Sequence, residues 1–195
     1  MIYTDIISDV EINHLARSVK YSKLAMAADP RNIDDAVTPG VIARGHAPAG
    51  SGHDCFLKGI EVAFCLTLTI KAWTEAERYN FLPIVTSQST MHKLQAMDAD
   101  AACIEYVDDR AKAVLNELIC RYNETHDPVD RLRMLYSCPV GLRLTADMRT
   151  NYLQLKTIYH QRKAHALPEW RAFCEWIETL PMFRELILAG EEAEA

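Results

Sequence analysis

The clearest periodic stretch of the chain is 60–70, where Val62, Phe64, Leu66, Leu68 and Ile70 alternate with Ala63, Cys65, Thr67 and Thr69. Period-two alternation rich in β-branched residues predicts a strand. Shorter strands are expected near 82–86 and 142–144. The cleanest helical pattern is 108–125, with Ala111, Val114, Leu115, Leu118, Ile119 and Tyr122 on one face. Asp108 and Asp109 suit its N-terminus, where negative charge complements the helix dipole. Ser8 and Glu11 have the spacing of a capping box. A helix follows to about residue 27, with Ile12, Leu15 and Val19 inward, and Asp29-Pro30 stops it. Residues 71–81 read as a helix packed through Trp73 and Tyr79, and 87–94 begins with helix-capping residue types. Asp127-Pro128 opens another helix, with proline at the tolerated first position. Thr145 is expected to cap a helix running to about Lys163, with Met148, Tyr152, Leu155 and Tyr159 inward. Pro168 starts a helix that buries Trp170, Phe173, Cys174 and Ile177, and a last short helix after Pro181 runs into the acidic tail 190–195.

Between these elements lies 30–54, a long stretch holding Pro30, Pro39, Gly40, Gly45, Pro48, Gly50 and Gly52. A loop of that length inside one domain is uncommon unless it is functional or mobile. Its segment 49–54 resembles a backbone nest that could face an anion or cofactor, while its composition favours a flexible surface loop. With 195 residues the chain is expected to fold as a single domain, 1–195.

Composition narrows the function classes. The formal net charge of −6 argues against coating a nucleic acid. No apolar run approaches a membrane span. The six cysteines, at 55, 65, 103, 120, 138 and 174, form no C-x-x-C pair and match no zinc spacing, so no metal site is expected. The first residues do not form a signal peptide, and scattered cysteines then read as buried free thiols in the reducing cytoplasm. G-x-S-x-G, P-loop and G-x-G-x-x-G motifs are all absent.

The densest run of polar and basic residues in a helical pattern is 139–171. Asn151 and Arg162 stand eleven residues apart, which places them on one helix face roughly 16 Å apart. Lys156, His160, Arg162, Lys163 and His165 form a basic cluster towards the helix C-terminus. Cations there complement the dipole, so a solvated basic end and an anion site are both open on spacing alone. His53 follows the glycine-rich segment, and His92 follows Gln88, Ser89 and Thr90 and precedes Lys93.

Pro139, Asn151 and Arg162, followed by His165-Ala166, Glu169 and Arg171, resemble the C-terminal half of the flavin-dependent thymidylate synthases. Gln88 to Lys93, reading QSTMHK, is similar to that family's Q-x-x-R-H-R segment. His53 sits where the family places a histidine before its first long strand. The resemblance implies an α/β (α+β) fold, helix-rich around an antiparallel sheet, and a homotetramer with shared active sites. It implies FAD as cofactor, with NADPH and methylene-tetrahydrofolate as co-substrates in the methylation of deoxyuridylate (dUMP). It further implies that Arg162 holds the substrate phosphate with help from Gln88 and Lys93, and that His53, His92, Asn151 and His165 contact FAD. No catalytic residue is assigned. The chain departs from the pattern at Met91 and Lys93, which replace the two arginines. It departs again at 94–102, LQAMDADAA, where the family's serines, its asparagine–glutamate pair and its R-Y are missing. Methionine donates no hydrogen bond, and lysine supplies a point charge where arginine supplies a planar fork. The departures favour a second expectation, a non-catalytic oligomeric assembly protein that keeps the fold. A third, an all-helical binding module, predicts little strand.

Overall fold

Alternating side chains at 61–69 build a strand, and the computed structural model places that strand in a three-stranded sheet. The structure describes residues 26, 29–32, 38–48 and 50–188. In chain order its elements are α1 (Pro39–Gly45), β1 (Glu61–Thr69), α2 (Ile70–Ala76), β2 (Ile84–Ser87), α3 (Thr90–Lys93) and α4 (Ala99–Ala102). These are followed by α5 (Asp109–Thr125), α6 (Pro128–Tyr136), β3 (Arg143–Asn151), α7 (Tyr152–Arg162), α8 (Pro168–Ile177) and α9 (Phe183–Leu186). Short 3-10 turns occupy Pro30–Asn32, Cys55–Gly59 and Leu94–Ala96. The sheet is antiparallel in the order β1-β3-β2, and the architecture is the helix-rich α+β one that the sequence pattern implies. The expected helix at 8–27 and the acidic tail 190–195 lie outside the described residues, apart from Met26.

The chain divides into two compact units. One takes in Cys65–Arg78 and Ile84–Asp147; the other takes in the described residues up to Phe64, Tyr79–Pro83 and the described residues from Met148. In the first unit the core gathers Leu94, Ala99, Cys103, Leu115, Ile119, Met134 and Leu142, all buried. Asp108 caps α5 by accepting from the Arg110 N–H, and Asp127 caps α6 by accepting from the Val129 and Asp130 N–H groups. Asp130 is buried and paired with Arg121 (2.9 Å) and Arg133 (3.1 Å). The Arg121 guanidinium beside it holds its carboxyl below the usual carboxylate range. Val114 stands half-exposed rather than inward, because α5 turns Leu115 and Ile119 to the core.

In the second unit Phe64 stacks on Phe173 and packs tilted against Trp176, at ring-centroid distances of 5.6 and 4.7 Å. The apolar face of α8 buries Trp170, Phe173, Cys174 and Ile177 as expected. Gly45 is required by packing, since a Cβ there would lie 2.8 Å from Leu186 Cδ2 and 2.9 Å from the Glu185 carbonyl oxygen.

Several sequence expectations are corrected. The expected helix from Thr145 is instead strand β3 up to Asn151, and α7 begins only at Tyr152. Ala146, Met148 and Thr150 alternate into the interior while Arg143, Thr145, Asp147, Arg149 and Asn151 take the other face. Met148 and Tyr152 are thus buried from two different elements. Residues 71–81 hold a helix only to Ala76, and the helix at 87–94 is the single turn α3. The 30–54 loop contains α1. The six thiols are free, but Cys55 and Cys120 are exposed rather than buried.

Candidate functional site

Helix α7 carries the residues of greatest interest, and its two ends differ in construction. Asn151 has extended backbone and its side chain accepts from the Gln154 N–H at 3.0 Å, so it is the N-cap of α7. Nδ2 of that amide makes no hydrogen bond with a described residue. Asn151 lines two adjoining clefts, both within the second unit. One, about 460 Å³, is lined by Glu61, Val62, Ala63, Asn80, Phe81, Pro83, Arg149 and Thr150 together with Asn151. The other, about 350 Å³, is lined by Gly50, Gly52, Asp54, Cys55, Lys58, Leu153, Gln154 and Thr157, again with Phe81 and Asn151. Phe81 is 60% exposed, a large apolar ring standing in water where both clefts meet.

Sheet register explains the polar floor of the larger cleft. The Tyr152 N–H donates to the Ile60 carbonyl, so Glu61 faces Asn151 and Ala63 faces Arg149 across an antiparallel pair. Residues two apart on a strand share a face, which puts Glu61, Ala63, Arg149 and Asn151 on one surface. The wall at 80–83 is fixed by the Arg149 N–H donating to the Pro83 carbonyl and by Thr150 Oγ1 donating to the Phe81 carbonyl at 2.7 Å.

The rim of the smaller cleft is held by a buried ion pair. Lys156, 1% exposed, donates from Nζ to the carbonyls of Gly45 (2.9 Å) and Ala47 (2.6 Å) and to Asp54 Oδ2 (3.1 Å). All three ammonium protons are used, so this lysine is a fastener between α7 and the 45–54 segment. Gly50 and Gly52 have φ of 84° and 81°, a conformation that glycine tolerates without strain. A Cβ at either would meet nothing within 4 Å, so the backbone there borders open space.

The C-terminal end of α7 is closed. Arg162 is 5% exposed. Its Nε donates to Tyr79 Oη at 2.8 Å, and the same hydroxyl lies 3.0 Å from Gln161 Oε1, to which it donates. Nη1 lies 2.7 Å from His165 Nε2. The Leu167 N–H points at Nδ1 of the same ring at 3.2 Å, and a neutral imidazole has one acceptor nitrogen, so these two donors compete for it. The guanidinium carbon lies 4.6 Å from the Trp170 ring centroid and 5.6 Å from that of Tyr79. Arg171 steadies the following turn by donating from Nη1 to the carbonyls of His165 and Ala166. The basic cluster is therefore only partly solvated: Lys163 is exposed, whereas Lys156 and Arg162 are buried, because each finds oxygen or aromatic partners in the interior.

The sequence-derived site residues divide between the units. Asn151, Arg162, His165 and His53 lie in the second, where Arg162 and His165 are in contact and the exposed His53 belongs to the same loop as Gly50 and Gly52. Gln88, His92 and Lys93 lie in the first. Gln88 follows β2, and its Oε1 accepts from the Thr145 N–H at 3.0 Å. His92 and Lys93 are exposed on α3 beside Met91, which is 51% exposed, and Leu94 next to them is buried in the core. Lys58, Phe81 and Arg149 were not singled out in the sequence. Arg149 had a signal, the polar alternation of 143–151, which a helical reading of that segment hides.

Burial pushes the Cys138 thiol up to about 11 and the Cys174 thiol up to about 12, so neither is a thiolate nucleophile at neutral pH. Among the described residues no cluster of His, Cys, Asp or Glu could hold a metal ion, and no helix is long and apolar enough to cross a membrane.

Models of protein families and the curated proteins give no match to this sequence. Solved structures do. A flavin-dependent thymidylate synthase, ThyX, from Helicobacter pylori, complexed with FAD and dUMP, superposes with a TM-score of 0.73 at 13% identity, covering 95% of this chain and 97% of that one. A second structure of the Helicobacter pylori enzyme with FAD and dUMP gives 0.72 at 12% identity, covering 96% and 97%. A UMP/dUMP methylase, PolB, from Streptomyces cacaoi, bound with 5-Br dUMP, gives 0.65 at 14% identity, covering 92% and 89%. The chain has the fold of the flavin-dependent thymidylate synthases.

Proposed function

We propose that this chain binds a flavin and a pyrimidine nucleotide and carries a divergent form of the thymidylate synthase chemistry. The observation that supports this most is the fold likeness over nearly the whole chain to a structure holding FAD and dUMP. Fold alone does not carry function, so the local chemistry has to fit as well. It does fit at the start of α7. Lys58, the open backbone at Gly50 and Gly52, the unspent amide of Asn151 and the exposed ring of Phe81 offer charge, N–H donors and a stacking face to a flavin and its phosphates.

In this reading His53, His92, Asn151 and His165 contact FAD, and Gln88, Lys93 and Arg162 serve the nucleotide. Reduced flavin, when bound, supplies hydride after a methylene group has passed to the pyrimidine. NADPH and methylene-tetrahydrofolate are the co-substrates, and the chain works as a homotetramer. Asn151 orients a ligand while capping α7. Arg162 offers positive charge from within its aromatic surroundings. Met91 cannot replace an arginine at a phosphate, which is why the chemistry is proposed as divergent.

Absorbance of the purified protein tests the flavin. A band between about 350 and 500 nm, present on isolation or after reconstitution with FAD, is expected of a bound flavin. Protein that stays colourless after reconstitution overturns this part. Calorimetry with dUMP tests the nucleotide, with Arg162→Ala expected to weaken it.

A second reading, a non-catalytic assembly protein, is favoured by one observation. Every residue of β2 is exposed, including Ile84 and Val85, and Met91 stands exposed close by in sequence. Sedimentation showing a stable oligomer that binds neither ligand would support that reading against the first.

A further inference from the structure

We infer that Arg149 is a phosphate-binding residue, and that the cleft it lines with Glu61, Asn80, Phe81 and Asn151 takes a phosphate ester carried on a planar ring. The inference rests on the nucleotide-and-flavin reading and adds to it a residue that neither the motif pattern nor the fold assigns.

Three features carry it. First, Arg149 is available. Its side chain makes no hydrogen bond or ion pair with a described residue, and only its backbone N–H is engaged, with the Pro83 carbonyl. Arg162, by contrast, already spends Nε on Tyr79 and Nη1 on His165. A guanidinium presents five donors in a planar fork, and an uncommitted one can meet two phosphate oxygens at once. Second, among the described residues Arg149 is the one cation lining a cleft of about 460 Å³, next to the N-terminus of α7, an eleven-residue helix whose dipole favours an anion. The chain as a whole carries a formal charge of −6, so such a local cation decides where an anion can settle. Third, the cleft offers more than charge. Phe81 presents an exposed face for a ring, Asn151 Nδ2 and Asn80 offer amide donors, and the Glu61 carboxylate can accept from a sugar hydroxyl or a ring N–H. The hydrogen bonds that fix the 80–83 wall and the strand register mean that the cleft is preformed, which lowers the ordering cost of binding.

The shared chemistry, a phosphate ester on a planar ring, could come from the nucleotide or from the flavin. Calorimetry on the full chain separates them. Titrate the wild type, Arg149→Ala and Arg149→Lys with dUMP, with FAD and with deoxyuridine. Arg149→Ala should weaken either dUMP or FAD by about ten- to a hundredfold, the loss of a charge-assisted contact. Arg149→Lys should recover part of the loss, and deoxyuridine, which has no phosphate, should bind the three proteins alike. The ligand that loses affinity is the one whose phosphate Arg149 holds. Unchanged dUMP and FAD affinities in Arg149→Ala overturn the inference and leave the nucleotide-and-flavin reading standing. A wild type that binds neither ligand overturns both. Because Arg149 is exposed, thermal midpoints of both variants should match the wild type, which excludes misfolding as the cause.

Discussion

At its first residue α7 opens onto two clefts, with the Asn151 amide, Arg149 and the face of Phe81 turned to water. At its last residue the same helix carries an arginine hydrogen-bonded to Tyr79, in contact with His165 and packed over Trp170. Both ends are polar in sequence; at one Arg162 is engaged with Tyr79 and His165, whereas at the other the Arg149 side chain makes no hydrogen bond or ion pair with a described residue. The difference teaches how to weigh a cationic residue. A cation whose donors are spent inside the protein maintains the fold, and one whose donors are unspent beside a cavity is available to bind. Lys156, between the two ends, belongs to the first kind.

The strongest way to break this contrast is to remove the fastener. Lys156→Ala leaves Asp54 buried without its partner and frees two carbonyls, and should cost about 3–5 kcal/mol in urea denaturation. Replacing both partners, Lys156→Met with Asp54→Leu, should recover much of that, since the buried charge is gone. A single variant with wild-type stability would show that the cleft rim does not depend on this pair.

Next is the closed end. Tyr79→Phe deletes the hydroxyl that accepts from Arg162 and bonds with Gln161. A buried donor left unsatisfied costs about 1–3 kcal/mol. The loss should appear in the thermal midpoint. If Tyr79→Phe is neutral, Arg162 is less committed to the interior than its geometry indicates.

Much of this fold was legible because strand and helix periods announce themselves. Strand β1, helix α5 with its Asp108 cap, and the Pro168 start of α8 all emerged from local patterns. The segment 143–151 did not. Met148 within it and Tyr152, Leu155 and Tyr159 after it are all buried, and they satisfy a helical spacing although a strand supplies the first and a helix the rest. Sheet pairing, a non-local contact, overrode that local reading. The same holds for the site. Spacing found Asn151, Arg162 and His165. It could not show that Arg162 packs on Tyr79 from eighty-three residues earlier, or that Lys156 reaches Asp54 across one hundred and two. Phe81 and Arg149 become noticeable only once the register places them at one cleft.

At the open end a smaller effect is expected. Asn151→Ala removes the N-cap of α7 and should cost about 1 kcal/mol. Asn151→Asp keeps a capping acceptor and adds favourable charge at the helix start, so stability should hold. It also puts a negative charge into a cleft proposed for an anion, so dUMP or FAD affinity should fall. A variant that lost stability and affinity together would mean that Asn151 acts only as a cap.

The smallest expected effect, and the most local probe of open against closed, is thiol chemistry. Cys55 is exposed and lines the smaller cleft, while Cys174 is buried on α8 with its thiol pushed up to about 12 by desolvation. In native protein at pH 7.5 or so, a maleimide should modify Cys55 and leave Cys174 intact, read by peptide mass after digestion. The sign of the pH effect follows from the same shift. An unfolded thiol ionises near 8.5, whereas Cys174 in the fold does not until about 12, so the unfolded state loses the proton first. Its contribution is constant below about pH 8 and declines as pH rises from there towards the folded value. A Cys174→Ala variant should show a shallower fall of thermal midpoint with pH across that window, even if its midpoint at neutral pH is lower. If Cys174 labels as fast as Cys55, the packing of α8 over the closed end is looser than these contacts require. Bound FAD or dUMP should slow labelling of Cys55 alone, which ties the accessible thiol to the cleft that Asn151 and Phe81 share.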